Sequence, residues 1–228
     1  MATRPYFLID NNDKIFIEKF CSFTYYTGFA ISQKQKSISS FHTEIKKVEN
    51  NDKILEISSK SKTPLGVKLS AFNLEYYDKQ TQESHFVENW FQASKIFENG
   101  GPFTDLLKIP PRQIKKDERL KTSGKLIMFK MNNTKWELIP RTMFYDYLYI
   151  SALMQNKELS QEIIKYDIFT DIEFNPKKSV NCQARAVAIF VSLYKRGLLK
   201  QYLENKKLFE TIYTNKIKKQ LQLFQTAY

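Results

Sequence analysis

From Pro140 onward the chain carries four segments, 140–155, 158–167, 180–196 and 199–223, whose apolar residues recur at helical spacing over lengths that suit core-facing helices. Pro140 fits a helix start, where its missing N–H costs nothing. The first half reads differently. Residues 5–9 and 15–26 hold short apolar and aromatic runs around Asp10-Asn11-Asn12-Asp13, the composition of a turn between two strands. A capping box at Ser32 to Gln35 and the spacing of Ile38, Phe41, Ile45 and Val48 predict an amphipathic helix over 33–48, ended by Asn50-Asn51-Asp52. Residues 54–57 read as a short strand, 85–98 as a helix stopped by Asn99-Gly100-Gly101-Pro102, 112–122 as a charged helical stretch and 125–129 as a strand. The expected fold class is therefore α+β, mainly helical with a small sheet.

Nothing divides this pattern into separate units. A compact domain holds roughly 100–200 residues, and the 228 here contain no low-complexity linker and no repeat, so one domain over 1–228 is expected. Its parts are an N-terminal α/β portion (about 1–65) and a basic C-terminal helical segment (about 199–228). Only 13 residues are Gly or Pro while aromatics make up 14%, which excludes linker-like and disordered classes. The best apolar run, Ala186 to Val191, is far too short to span a bilayer, and the first ten residues reach Asp10 before a signal-peptide core can develop. A cytoplasmic protein without a membrane partner is the expectation. Two cysteines, Cys21 and Cys182, without metal-ligand spacing, and two histidines leave little material for zinc sites or His-dependent triads. We expect neither metal nor cofactor. The formal charge of +12 suggests a polyanionic partner, although Arg stands only at 4, 112, 119, 141, 185 and 196, and the remaining cations are Lys, a less discriminating phosphate contact. Residues 195–228 hold eight basic side chains against Glu204 and Glu210, a local balance of +6. Its lysines either follow a nucleic-acid backbone or sit solvated on a docked surface helix.

Chemistry concentrates in Glu88-Asn89-Trp90-Phe91-Gln92-Ala93-Ser94-Lys95. At 100° per residue a helix places Glu88, Gln92 and Lys95 on one face, so a carboxylate, an amide and an amine converge; an ordinary polar face with a solvated Lys is the plainer reading. A carboxylate such as Glu88 can stabilise developing positive charge and move a proton. The Lys95 amine can act as a nucleophile if burial beside aromatics outweighs the pull of Glu88 on its proton. Asp171 and Glu173 bind a polar ligand or serve as helix N-terminal partners. Asn181 and Gln183 read substrate or cap a helix, and Lys177 and Lys178 hold a pyrophosphate or are solvated. Trp90 stacks a base or packs the core. His42, Trp136 and Cys182 are expected to be structural.

Ser70-Ala71-Phe72-Asn73, followed by His85-Phe86-Val87-Glu88-Asn89-Trp90-Phe91-Gln92-Ala93-Ser94-Lys95, resembles the paired signature of the NADAR (YbiA-like) N-glycosidases. Asp171 to Ala186 stands where that family has its second signature, with Phe174-Asn175 in place of Trp-Gly and Asn89 in place of the His after the Glu. The runs at 56–61, 97–105 and 169–178 are similar to the branch found beside DarT-type DNA ADP-ribosyltransferase toxins, over about residues 1–200. The resemblance implies a YbiA-like fold and Glu88 and Lys95 as catalytic residues. It implies Ser70, Asn73, Trp90, Gln92, Asp171, Glu173, Lys178, Asn181 and Gln183 as substrate-binding residues. The implied activity is removal of ADP-ribose from guanine in DNA or RNA, with ADP-ribose as product and a DarT-type toxin as partner. Hydrolysis of riboflavin-pathway ribosyl intermediates, and a non-catalytic nucleic-acid-binding role, are the alternatives.

Overall fold

The computed structural model describes residues 1–10 and 14–213. The chain opens with the expected hairpin: β1 (Ala2–Ile9) and β2 (Phe16–Phe23) pair antiparallel, from Ala2 opposite Phe23 to Ile9 opposite Phe16. Residues 11–13 of its turn lie outside the described residues. Helix α1 (Ile31–Glu49) starts earlier than its periodicity suggested. Ala30 takes the N-cap position, so Ser32 falls inside the first turn and the capping box does not form. Ile38, Phe41 and Ile45 are buried while Val48 is exposed, and Asn50 ends the helix in the left-handed region, which Asn tolerates.

After β3 (Ile54–Glu56) and the short α2 (Pro64–Lys68), a second hairpin of β4 (Glu75–Asp78) and β5 (Glu83–Phe86) leads into α3 (Val87–Ala93). The single helix expected over 85–98 is thus three elements: the end of β5, a seven-residue helix, and β6 (Lys95–Phe97). The reason lies farther along the chain. Lys95 pairs with Phe129 of β7 (Leu126–Met131), and the Lys130 amide donates to the Ser94 carbonyl at 2.7 Å, so this ladder captures the residues that would have continued the helix. Between β6 and β7 lies a 3₁₀ turn at Thr104–Lys108, and over 112–122 a second one at Ile114–Lys116 and α4 (Arg119–Thr122) take the place of one helix. β8 (Thr134–Trp136) returns along β7.

The helical second half follows with shifted ends. α5 (Met143–Gln155) begins after Pro140, whose carbonyl accepts from the Met143 amide, and α6 (Lys157–Ile163) is capped by the Asn156 side chain. β9 (Ile168–Thr170), a strand the helical spacing had hidden, precedes α7 (Gln183–Lys195). The helix expected over 199–223 is interrupted: α8 (Leu199–Glu204) stops at Asn205, whose side chain accepts from the Leu208 amide at 3.0 Å and starts a second helical stretch at 206–213. Residues 214–223 of that expectation lie outside the described residues.

The main sheet runs β2-β1-β9-β3, antiparallel except for the parallel pair β3 and β9. Successive side chains of a strand point to opposite faces, and the sheet divides its apolar residues accordingly. Tyr6, Ile54 and Ile168 face α1 with Phe41 and Ile45, whereas Phe7, Leu55 and Phe169 join the larger core around α5 and α7. The fold is α+β, with α5 buried on nearly every side. Even Asp146 within it is fully buried, held at 3.1 Å by both Nε and one terminal nitrogen of Arg185 and at 2.7 Å by the Tyr213 hydroxyl.

Candidate active site

A cavity of about 440 Å³, within the range of small-molecule sites, opens where α3, the 113–117 turn, the residues after β9 and the start of α7 meet. One wall is a hydrogen-bonded chain. Gln92 Nε2 donates to Glu88 Oε1 at 2.9 Å, and Lys95 Nζ donates to Gln92 Oε1 at 2.6 Å. The three residues therefore converge although Lys95 stands on β6, with only Ser94 between it and the end of α3. The amide can face only one way, its NH₂ toward the carboxylate and its oxygen toward the amine. Lys115 Nζ adds an ion pair to Glu88 Oε1 at 3.2 Å and lies 5.3 Å from the centre of the Phe72 ring.

The surroundings of Lys95 favour its neutral form. Its Nζ lies 5.1 Å from the centre of the Phe91 ring, which packs against Phe129, Phe144 and Tyr145. Burial disfavours the charged amine and outweighs the opposing pull of Glu88, and Lys115 pushes the same way as burial, so the Lys95 pKa falls below the ordinary lysine range. A neutral amine still donates one N–H to Gln92 and keeps its lone pair for an electrophile. Tyr145, on the same wall, is pushed well above the usual phenol range by burial and remains a protonated donor.

Asp171 adds to the lining a carboxylate locked in place. Asp171 Oδ1 accepts from the Glu173 and Phe174 amides at 3.1 and 3.2 Å, and Oδ2 accepts from Gln183 Nε2 at 3.1 Å. Gln183 Oε1 in turn accepts from the Ala71 amide at 2.6 Å, while the Glu88 amide donates to the Ala71 carbonyl at 2.9 Å. The 70–72 loop thereby ties the start of α3 to the start of α7. Burial and the neighbouring Glu56 raise the Asp171 pKa. Glu56 is itself buried: Oε1 accepts from the Ile172 amide at 2.8 Å and Oε2 from the Thr170 hydroxyl at 2.6 Å, so it clamps the backbone on both sides of Asp171. His42 Nε2 reaches the same Thr170 hydroxyl at 2.8 Å, and burial lowers its pKa to about 4. Among the described residues no group of His, Cys, Asp and Glu is arranged to hold a metal ion.

A family model of DarT1-associated NADAR antitoxins matches residues 2–222. The chain belongs to that family. No curated protein gives a significant match to it. The matched span contains the whole site of this NADAR antitoxin, so the departures at Asn89 and at Phe174-Asn175 are features of a member. Asn89 serves the fold around the site, because its Nδ2 lies 3.0, 3.0 and 2.6 Å from the carbonyls of Leu106, Leu107 and Ile109 and pins the segment that leads to Lys115.

Of the residues singled out in the sequence, Glu88, Gln92, Lys95, Asp171, Glu173, Lys178, Asn181 and Gln183 line the NADAR cavity. Gln183 holds Asp171 and the 70–72 loop. Asn181 does not cap α7, whose N-cap is Cys182; its Oδ1 is buried on the cavity wall without a partner among the described residues. Ser70, Asn73 and Trp90 are not part of the lining. Ser70 is buried under the loop, Asn73 Nδ2 donates to the Val67 carbonyl at 2.8 Å, and Trp90 packs edge-on against Tyr76 and His85, a core position rather than a stacking surface. Cys182 is buried with its thiol pushed well above the usual range, unsuited to nucleophilic attack. Sequence reasoning missed Lys115, Phe72 and Tyr145. Lys115-Lys116 reads as an ordinary solvated pair, and only the intervening turns carry it back to Glu88.

Proposed function

We propose that this NADAR antitoxin is an N-glycosidase that removes ADP-ribose from guanine bases of DNA, and of RNA by the same chemistry, reversing the modification made by a DarT-type toxin. The observation that carries the reading is the Glu88-Gln92-Lys95 chain at the cavity wall, with Lys95 held below its ordinary pKa. The neutral Lys95 amine bonds to ribose C1 as the bond from C1 to the guanine nitrogen breaks, and guanine leaves with that electron pair and a proton. The C1–O bond of the sugar ring then opens, its oxygen taking the proton released by Nζ, to give a Schiff base. Water adds to C1 and frees both the amine and ADP-ribose. Glu88 carries the protons and offsets positive charge at C1. Tyr145 and the unpartnered Asn181 Oδ1 supply a donor and an acceptor for ribose or base, while Lys115 and Lys178 suit the diphosphate.

The wild-type protein is expected to restore a guanine-ADP-ribosylated oligonucleotide to its unmodified mobility, to release free ADP-ribose, and to retain a covalent sugar adduct on Lys95 when borohydride is added during turnover. An unchanged oligonucleotide, or a strong preference for aminopyrimidine ribosyl phosphates of the riboflavin type, overturns the substrate. Turnover without trapping overturns the Schiff base.

A further inference from the structure

At the start of α1, linked to the cavity through Lys34, stand exposed apolar side chains that the catalytic chain does not use. Phe29 is fully exposed, and Ile31 and Tyr26 are 54% and 40% exposed. They are not on a loose strand of backbone: the Thr24 and Tyr26 amides donate to Ser40 and Ser37 hydroxyls of α1 at 3.1 and 2.9 Å, fastening the 24–30 segment along that helix. Ile31 and Lys34 share one face of α1, about 5 Å apart along its axis. Lys34 Nζ reaches the Tyr25 hydroxyl at 2.6 Å and the carboxylate of Glu173, a cavity residue, at 3.3 Å. From Glu173 the rim continues through the turn that carries Lys177, Lys178 and the half-exposed Val180.

We infer that Phe29, with Tyr26 and Ile31, is a shelf on which a nucleobase next to the modified guanine stacks, while Lys34 and Lys177 face the adjoining phosphates. The inference rests on the proposed nucleic-acid substrate and specifies its form, a single strand, because bases within a duplex keep their ring faces covered. Exposed aromatic rings interleaved with cations bind single strands with little regard to sequence. The charge favours this occupant over a protein, since two lysines rim the shelf against one carboxylate and the chain as a whole is at +12. The catalytic cavity then needs only the modified nucleotide, and the shelf adds affinity for the strand that carries it.

Two measurements on the full chain test this. Steady-state kinetics compare a guanine-ADP-ribosylated ten-nucleotide single strand with ADP-ribosylated guanosine, and fluorescence anisotropy measures binding of the plain strand. Phe29→Ala is expected to raise KM for the strand and Kd for the plain oligonucleotide about ten-fold, with kcat/KM for the nucleoside unchanged. Phe29→Trp should restore both, and Lys177→Ala should lessen the salt dependence of strand binding. Equal losses on strand and nucleoside, or no change in either KM or Kd, overturns the shelf. So does loss of toxin co-purification in Phe29→Ala with strand binding intact, which would assign the surface to a protein. If wild-type protein hydrolyses neither substrate the proposed activity fails, whereas the anisotropy comparison still decides the shelf.

Discussion

A lysine amine in water is almost wholly protonated at neutral pH, so the behaviour of Lys95 is a matter of its neighbours. Burial favours the neutral form, Glu88 opposes it, and Lys115 assists it while engaging Glu88. Removing the Lys115 charge takes away one influence that lowers the Lys95 pKa, so that pKa rises and a smaller fraction of the amine is neutral at a given pH. In Lys115→Met the ascending limb of the pH profile of kcat/KM should move to higher pH, with a loss of about ten-fold or less at pH 7. An unmoved limb in a variant of unchanged stability would show that Lys115 does not tune the amine. Backbone placement matters equally. Gly101 has φ +93°, and a Cβ there would lie 2.2 Å from the Lys95 carbonyl oxygen, so only glycine lets the turn after β6 close against the residue that bears the amine.

At the level of elements, the clamp of β3 on β9 sets the acidic wall. Glu56 is buried, and its pKa is raised chiefly by that burial. A carboxyl whose folded pKa exceeds its unfolded value stabilises the fold less as pH climbs from the unfolded value through the folded one. Glu56→Gln cannot titrate; its Oε1 still accepts from the Ile172 amide, and its NH₂ can donate to Thr170 if the neutral His42 exchanges tautomers and accepts the Thr170 proton. The variant should therefore melt about 2–4 °C above wild type at pH 7, with the difference shrinking toward pH 4.5; a constant or inverted difference would mean that Glu56 remains charged in the fold. Local pattern made other elements legible. The β1–β2 hairpin, the buried face of α1 and the approximate positions of α5 and α7 follow from nearby residues alone. β9 could not be found that way, since its three residues are a strand only because β1 and β3 flank it. Nor could the end of α3, where pairing of Lys95 with Phe129 overrides helical periodicity. For the candidate site, the convergence of Glu88, Gln92 and Lys95 is legible from spacing, whereas Lys115 and the Glu56 clamp depend on contacts made across long stretches of chain.

Across the whole molecule, the positive charge of the described part of the basic segment is largely engaged with protein groups. Lys195 pairs with Asp167, Arg196 donates to the Asp10 and Lys14 carbonyls, Lys200 pairs with Glu204, and Lys206 donates to the Lys135 carbonyl and lies 4.9 Å from the centre of the Trp136 ring. Phe209 and Tyr213 belong to the main core, and the Tyr213 hydroxyl completes the partners of the buried Asp146. Truncation after Glu204 should thus abolish turnover of strand and nucleoside alike and broaden or remove the melting transition. A truncated protein that kept nucleoside turnover and lost only strand affinity would make the segment a backbone-binding arm instead. The position of β1 between β2 and β9 has a temporal consequence. At 5–20 residues per second the ribosome needs roughly 10–30 s to pass from Ile9 to Thr170, and Phe209 comes later still. During that interval the first strand, already made, has one edge waiting for its partner, so protection against the toxin lags behind the start of its own translation.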